Sequence, residues 1–273
     1  MNAPNRNLLV RVVTAVTLLP AVLALLLYGG WAAGILLAVA AAACALEYAQ
    51  LTAGRLGPSQ LLSILGAGSL PLLATLWPRG FAGPAFWVVA AVFYAAWIGH
   101  LFHRPLADAP TRSAHAVTGC LYGGLGLAPL AALRAGPDGM AWVIAALVIT
   151  WANDTCAYFA GRAFGRHKLY PAVSPNKTWE GFAGGFLGSI GGLFIARLVF
   201  PVLQPLDCIL LGVAGGFFGP LGDLCESVLK RASGAKDSGF LIPGHGGVLD
   251  RVDALLFNAP VVYVYVALVR NAL

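Results

Sequence analysis

The chain has 273 residues, 59% of them hydrophobic and only 10% charged, with a mean hydropathy of +0.80. Soluble domains run at about 45–50% apolar and about 25% charged, so this composition excludes a soluble globular enzyme and points to a polytopic membrane protein. The formal net charge is +6, and its placement is more informative than its size; no nucleic-acid partner is expected.

Hydrophobic runs predict nine transmembrane helices, over residues 8–28, 31–53, 59–77, 81–102, 115–133, 139–160, 181–201, 207–230 and 252–271. Each is close to the ~20 residues a helix needs to cross the hydrocarbon core. The first run follows basic residues, as a signal peptide does. No small-x-small site clearly ends it and the next apolar run follows almost at once, so it reads as a retained helix. With a cytoplasmic N-terminus, nine spans put Arg6, Arg11, Arg55, Arg104, Arg112, Arg162, Arg166, Lys168, Lys177, Lys230, Arg231, Lys236 and Arg251 on the same side. Arg79, Arg134 and Arg270 fall opposite, and Arg197 lies near the far end of the seventh span. Thirteen against three or four is a positive-inside bias, and it supports the odd span count.

The expected fold class is therefore all-α, a polytopic integral membrane protein forming one membrane domain over residues 1–273. Residues 1–150 read as scaffold helices. Residues 151–273 read as the catalytic half, with cytoplasmic loops at 161–180 and 231–251. Cys44, Cys120, Cys156, Cys208 and Cys225 are scattered inside the spans without metal-ligand spacing and read as small buried hydrophobes.

In the first half, Glu47 is the one acid inside a span. Such residues mark function by default. It stands alone, and a hydrogen bond to a neighbouring helix or a place near the cytoplasmic end of its span explains it equally well. Eight of the eleven acids lie between Asp154 and Asp253. Glycines crowd the nearby spans, from Gly181 to Gly192 and from Gly212 to Gly222, where small residues three or four apart let helix backbones approach closely.

The eighth span ends with Asp223, Glu226, Ser227 and Lys230 on one helical face. A salt-bridge ladder to Lys230 is one reading. The other is a divalent metal between two carboxylates, since hard cations take oxygen ligands. Asp250 and Asp253 open the ninth span, where acids also serve as helix caps. As a second pair of carboxylates at the same membrane surface, they fit a shared metal site. Between the pairs lie Lys236, Asp237 and the loop His245-Gly246-Gly247. Glycines beside a helix start let backbone N–H groups reach an anion. The other loop carries Ser174, Asn176, Lys177, Thr178 and Glu180, either a capped helix start or a hold on phosphate oxygens. Asn153 and Asp154 point into the same layer. The residues thus describe a membrane-embedded site open to the cytosol, holding a hard metal and a polyanion.

The segment from Ser227 to Asp253 resembles the signature of the phosphatidate cytidylyltransferases (CDP-diacylglycerol synthases). Ser227, Lys230, Arg231, Lys236, Asp237, Gly239, Ile242, Pro243, His245, Gly246, Gly247, Asp250, Arg251 and Asp253 fill its constrained positions. The motif from Ser174 to Gly181 and the Asn153-Asp154 pair are similar too. The resemblance implies transfer of CMP from CTP to phosphatidate, giving CDP-diacylglycerol and pyrophosphate, with Mg²⁺ and sometimes a monovalent cation such as K⁺. It implies Asp223 and Asp250 as metal ligands, joined by Lys230, Arg231 and Lys236 as the catalytic set. Glu226 and Asp253 are secondary metal candidates, as outer partners or capping groups. Asn153, Asp154, Ser174, Asn176, Lys177, Thr178, Glu180, Ser227, Asp237, His245, Gly246, Gly247 and Arg251 would hold nucleotide and lipid phosphates. A homodimer in a bacterial inner membrane, with its active site facing the cytoplasm, is expected. A polyprenol kinase or archaeal-type lipid cytidylyltransferase is the nearest rival. A transporter with a midplane ion site is a rival of another class, but it requires internal repeats that this chain lacks.

Overall fold

The computed structural model describes residues 3–54, 56–102 and 106–271, with side chains from Val10 onward. Arg55 and Arg104 lie outside the described residues, as does the side chain of Arg6. The chain is helical almost throughout: α1 (Ala3–Tyr28), α2 (Gly30–Ala53), α3 (Pro58–Leu76), α4 (Ala82–His100), α5 (Ala109–Gly119), α6 (Gly126–Ala135), α7 (Gly139–Phe164), α8 (Trp179–Val199), α9 (Pro205–Ala232) and α10 (Leu249–Leu268). Among the described residues nine helical segments are long and apolar enough to cross a membrane, and the chain is a polytopic membrane protein. The fifth segment is composite. A 3₁₀ turn, α5, a π-helical turn over Cys120–Leu125 and α6 run together from Leu106 to Ala135. It therefore starts earlier than the apolar run alone implies.

By its packing the chain forms two compact units. The first comprises residues 1–135 and 233–252. Its centre is α2, which buries Leu37, Ala41, Cys44, Ala45, Glu47 and Tyr48. The π-helical turn packs close to its neighbours because it carries glycines. A Cβ at Gly123 would stand 2.5 Å from the Ala41 carbonyl oxygen, and one at Gly124 2.9 Å from the Ala67 Cα. Arg134 donates to the carbonyls of Leu26 (2.7 Å) and Leu27 (2.6 Å). That places a cation at the negative end of α1.

The second unit comprises residues 136–232 and 253–273. The glycine face of α8 lies against α7, where a Cβ at Gly184 would stand 2.3 Å from the Ala160 Cβ. The glycines of α9 do the same on two sides: Gly212 meets Ile190 of α8, and Gly222 meets Asp253 and Phe257 of α10. Bilayer helices without a hydrophobic drive between them gain their attraction from such close approach. A short antiparallel hairpin, β1 (Lys168–Tyr170) with β2 (Ser174–Thr178), joins α7 to α8. The hairpin lies within the 161–180 loop, and its strands of three and five residues are short and mostly polar.

Candidate active site

The second unit gathers the acids. Asp223 and Glu226 stand one turn apart on α9. Gly222 lets α10 come so close that a Cβ there would lie 2.6 Å from the Asp253 carbonyl oxygen. That approach sets Asp253 beside them. One carboxylate oxygen from each of Asp223, Glu226 and Asp253 lies within 4.8 Å of the others. Lys177 Nζ lies 2.6 Å from Asp223 Oδ2, and Lys230 Nζ 2.5 Å from Glu226 Oε2. The Glu226 side chain is buried, 1% exposed. Ser227 Oγ donates to Asp223 Oδ1 at 3.3 Å, and Asp253 Oδ1 accepts from the Ala254 N–H at 2.7 Å. Asp154 and Asp253 both feel the charges of Asp223 and Lys177. Three clustered carboxylates against two lysines leave one formal negative charge, which a bound cation would offset. The donor set is all oxygen and suits a hard divalent ion. The salt-bridge ladder also forms, between Lys230 and Glu226, and it coexists with a carboxylate cluster able to hold a metal.

The loop before α8 is held by its own chain. Glu180 accepts from the Arg166 N–H (3.1 Å) and the His167 N–H (3.3 Å), and pairs with His167 Nδ1 (2.6 Å). Thr178 caps α8 by accepting from the Gly181 N–H at 3.1 Å. Both side chains therefore fix the hairpin that carries Lys177. Ser174 pairs with Tyr170 in the hairpin, and Asn176 is exposed. Arg231 Nε donates to the Val173 carbonyl at 3.5 Å. Asn153 is buried and donates to Ser189 Oγ at 3.1 Å and to the Gly216 carbonyl at 3.5 Å, so it ties α7 to α8 and α9.

The first unit holds the other loop. Lys236 and Asp237 are exposed. Asp250 stands in the first turn of α10, in this same unit. Its Oδ2 accepts from the Ser238 N–H (2.8 Å), Ser238 Oγ (2.9 Å) and the Gly247 N–H (2.9 Å). The glycine-flanked helix start does meet an anion, and it is one the chain supplies. Glu47 Oε1 accepts from the Val248 N–H at 2.9 Å, and Oε2 from the Leu249 N–H at 2.8 Å. His245 sits in a turn closed by its N–H to the Ile242 carbonyl, with Nδ1 3.4 Å from the Pro243 carbonyl. Arg251 clasps the His245 carbonyl through Nε (3.1 Å) and Nη2 (2.7 Å). Gly246 has φ +84, a conformation that side chains rarely tolerate.

The structure thus brings Asp223, Glu226, Asp253, Asp154, Lys177, Lys230 and Ser227 together in one unit. It holds Lys236, Asp237, His245, Gly246, Gly247, Asp250 and Arg251 in the other. In the sequence Ser238 carries no signal of its own, and Glu47 stands out only as a solitary intramembrane acid.

Comparison with known proteins decides the family. The model of the cytidylyltransferase family matches residues 9–269, nearly the whole chain. The chain belongs to the cytidylyltransferase family. Among similar curated proteins is a phosphatidate cytidylyltransferase of Bacillus subtilis (strain 168), 45% identical over 131 residues, which is 48% of this chain and 49% of that one. Another, from Staphylococcus epidermidis (strain ATCC 12228 / FDA PCI 1200), is 45% identical over 124 residues, 45% of this chain and 48% of the relative. A third, from Brucella suis biovar 1 (strain 1330), is 43% identical over 159 residues, 55% of this chain and 56% of the relative. The chain thus aligns with about half the length of the curated relatives it matches.

Proposed function

We propose that the chain is a phosphatidate cytidylyltransferase, converting CTP and phosphatidate to CDP-diacylglycerol and pyrophosphate. The observation that carries this reading is the group Asp223, Glu226 and Asp253 bracketed by Lys177 and Lys230, in a chain of the cytidylyltransferase family whose relatives bear that name. The attacking atom is a phosphomonoester oxygen of phosphatidate. Its second ionisation lies near pH ~6, by analogy with phosphorylated side chains, so it needs no strong base at neutral pH. It bonds to the α-phosphorus of CTP, the α–β bridging P–O bond breaks, and pyrophosphate leaves with the electron pair.

The main obstacle is repulsion between two polyanions. Lys177 and Lys230 each lean on a carboxylate at rest, and as cations they offset phosphate charge once substrates are bound. Mg²⁺ held by Asp223, Glu226 and Asp253 would add charge neutralisation and alignment of the triphosphate. Glu180 and Thr178 keep the Lys177 hairpin in register, and Arg231 adds positive charge from an exposed position. The positive-inside distribution supports a cytoplasmic N-terminus and a site open to the cytoplasm of a bacterial inner membrane, where CTP is present and phosphatidate lies in the bilayer.

The test is the fate of two labels. Purified full-length protein in phosphatidate micelles, given CTP labelled at the α- or the γ-phosphorus, should put the α label into lipid and the γ label into pyrophosphate. Transfer of the γ label to lipid would make the protein a lipid kinase.

A further inference from the structure

Glu47 stands about 200 positions from the loop it touches and is fully buried, 0% exposed. Beyond its two backbone hydrogen bonds from Val248 and Leu249, its Oε2 accepts from Ser238 Oγ at 3.1 Å. Ser238 is buried too, and its hydroxyl also faces Asp250 Oδ2 at 2.9 Å. A hydroxyl carries one proton, so Ser238 bridges two carboxylates with a single donor. The glycines around the bridge fit the same arrangement. A Cβ at Gly239 would stand 2.8 Å from Glu47 Oε1, and one at Gly247 2.0 Å from Ser238 Oγ and 2.5 Å from Glu47 Oε2. Both positions are glycine because Glu47 fills the space that a side chain would take. An acid buried this deeply persists only when its oxygens are satisfied, and here the loop satisfies them.

We infer that Glu47 is a positioning residue of the enzyme. Through Ser238 and the Val248 and Leu249 amides it orients the loop from Lys236 to Asp250, and so sets how that loop meets phosphate. The inference rests on the proposed reaction for its catalytic consequence. Its structural half stands apart from that reaction. Glu47 touches no substrate in this account and acts only through the loop.

Glu47→Gln tests it, because the amide keeps the shape but sets an NH₂ against loop donors. Amide hydrogen exchange in the full-length protein should quicken about 10-fold or more at Val248 and Leu249. The kcat per folded molecule should fall on the order of 100-fold, the scale of a small misplacement of reacting groups. The Mg²⁺ concentration for half-maximal rate should stay unchanged, since Asp223, Glu226 and Asp253 are untouched. Ser238→Ala, which keeps both backbone bonds to Glu47, should lower kcat by a smaller factor. The double variant should fall by less than the product of the two single factors, because both cut the Glu47–Ser238 connection while only Ser238→Ala also cuts the one to Asp250. Two results overturn the inference: unchanged exchange at Val248 and Leu249, or a kcat per folded molecule equal to wild type with only the folded yield reduced. If Glu47→Gln does not fold, an unchanged kcat in Ser238→Ala overturns it. If wild type fails to turn over phosphatidate, the reaction is wrong while the exchange data still decide whether Glu47 holds the loop.

Discussion

Asp253→Asn should make the metal-free protein more stable and the magnesium-bound protein less so. One oxygen of Asp253 lies within 4.8 Å of its counterparts on Asp223 and Glu226. Two unit charges at that distance repel by about 3.5 kcal/mol at an effective dielectric constant of about 20. Lys177 and Lys230 already sit on Asp223 and Glu226, so they cancel much of this, as does salt. A net relief of about 1–2 kcal/mol remains, a few degrees in unfolding midpoint for a chain of this size. The amide also removes a ligand charge from any cation. A bound ion at about 100 times its dissociation constant stabilises by about 2.7 kcal/mol, and the variant should lose most of that. The assay is thermal unfolding in detergent, first with chelator and then across a Mg²⁺ titration. The two proteins should change rank as magnesium rises. A variant less stable than wild type in chelator, or one with the full magnesium-dependent gain, would refute the reasoning.

Lys177→Met should act in two directions at once, raising the CTP KM about 10-fold while tightening Mg²⁺, because Asp223 loses its ammonium partner; steady-state kinetics over both concentrations read this, and parallel weakening of both contradicts it. Glu180→Gln weakens charge-assisted bonds from the Arg166 and His167 amides, so exchange at those two amides should rise while α7 stays protected. The rate should climb with pH through the substrate's second phosphate ionisation near ~6 and level off above it. His245→Gln should keep that limb, since the histidine shapes a turn; loss of the limb in the variant assigns His245 as a general base.

The nine spans were legible because apolar length alone specifies a bilayer helix. The face holding Asp223, Glu226, Ser227 and Lys230 was legible because helical spacing is local. The joining of Asp253 to Asp223 was less so, since it depends on how closely two helices pack at Gly222, and sequence reports only that a small residue is there. Glu47 was the hardest. Its partners lie about 200 residues away, and a lone acid in a span announces a need for partners without naming them. The glycines of the His-Gly-Gly loop suggested an anion at the start of α10, and periodicity had no means of showing that Glu47 provides one. The hairpin was missed because strands of three and five mostly polar residues carry no hydrophobic alternation.

The central claim is that Asp223, Glu226 and Asp253 hold the cation on which cytidylyl transfer to phosphatidate depends. The direct measurement is CDP-diacylglycerol formation from CTP and phosphatidate by wild type and Asp223→Asn across a Mg²⁺ titration, with unfolding midpoints recorded on the same samples. Wild type should saturate at low millimolar Mg²⁺, and the folded variant should fall by more than about 100-fold at that concentration. A folded Asp223→Asn protein that turns over at the wild-type rate, at the wild-type Mg²⁺ concentration, would contradict the account.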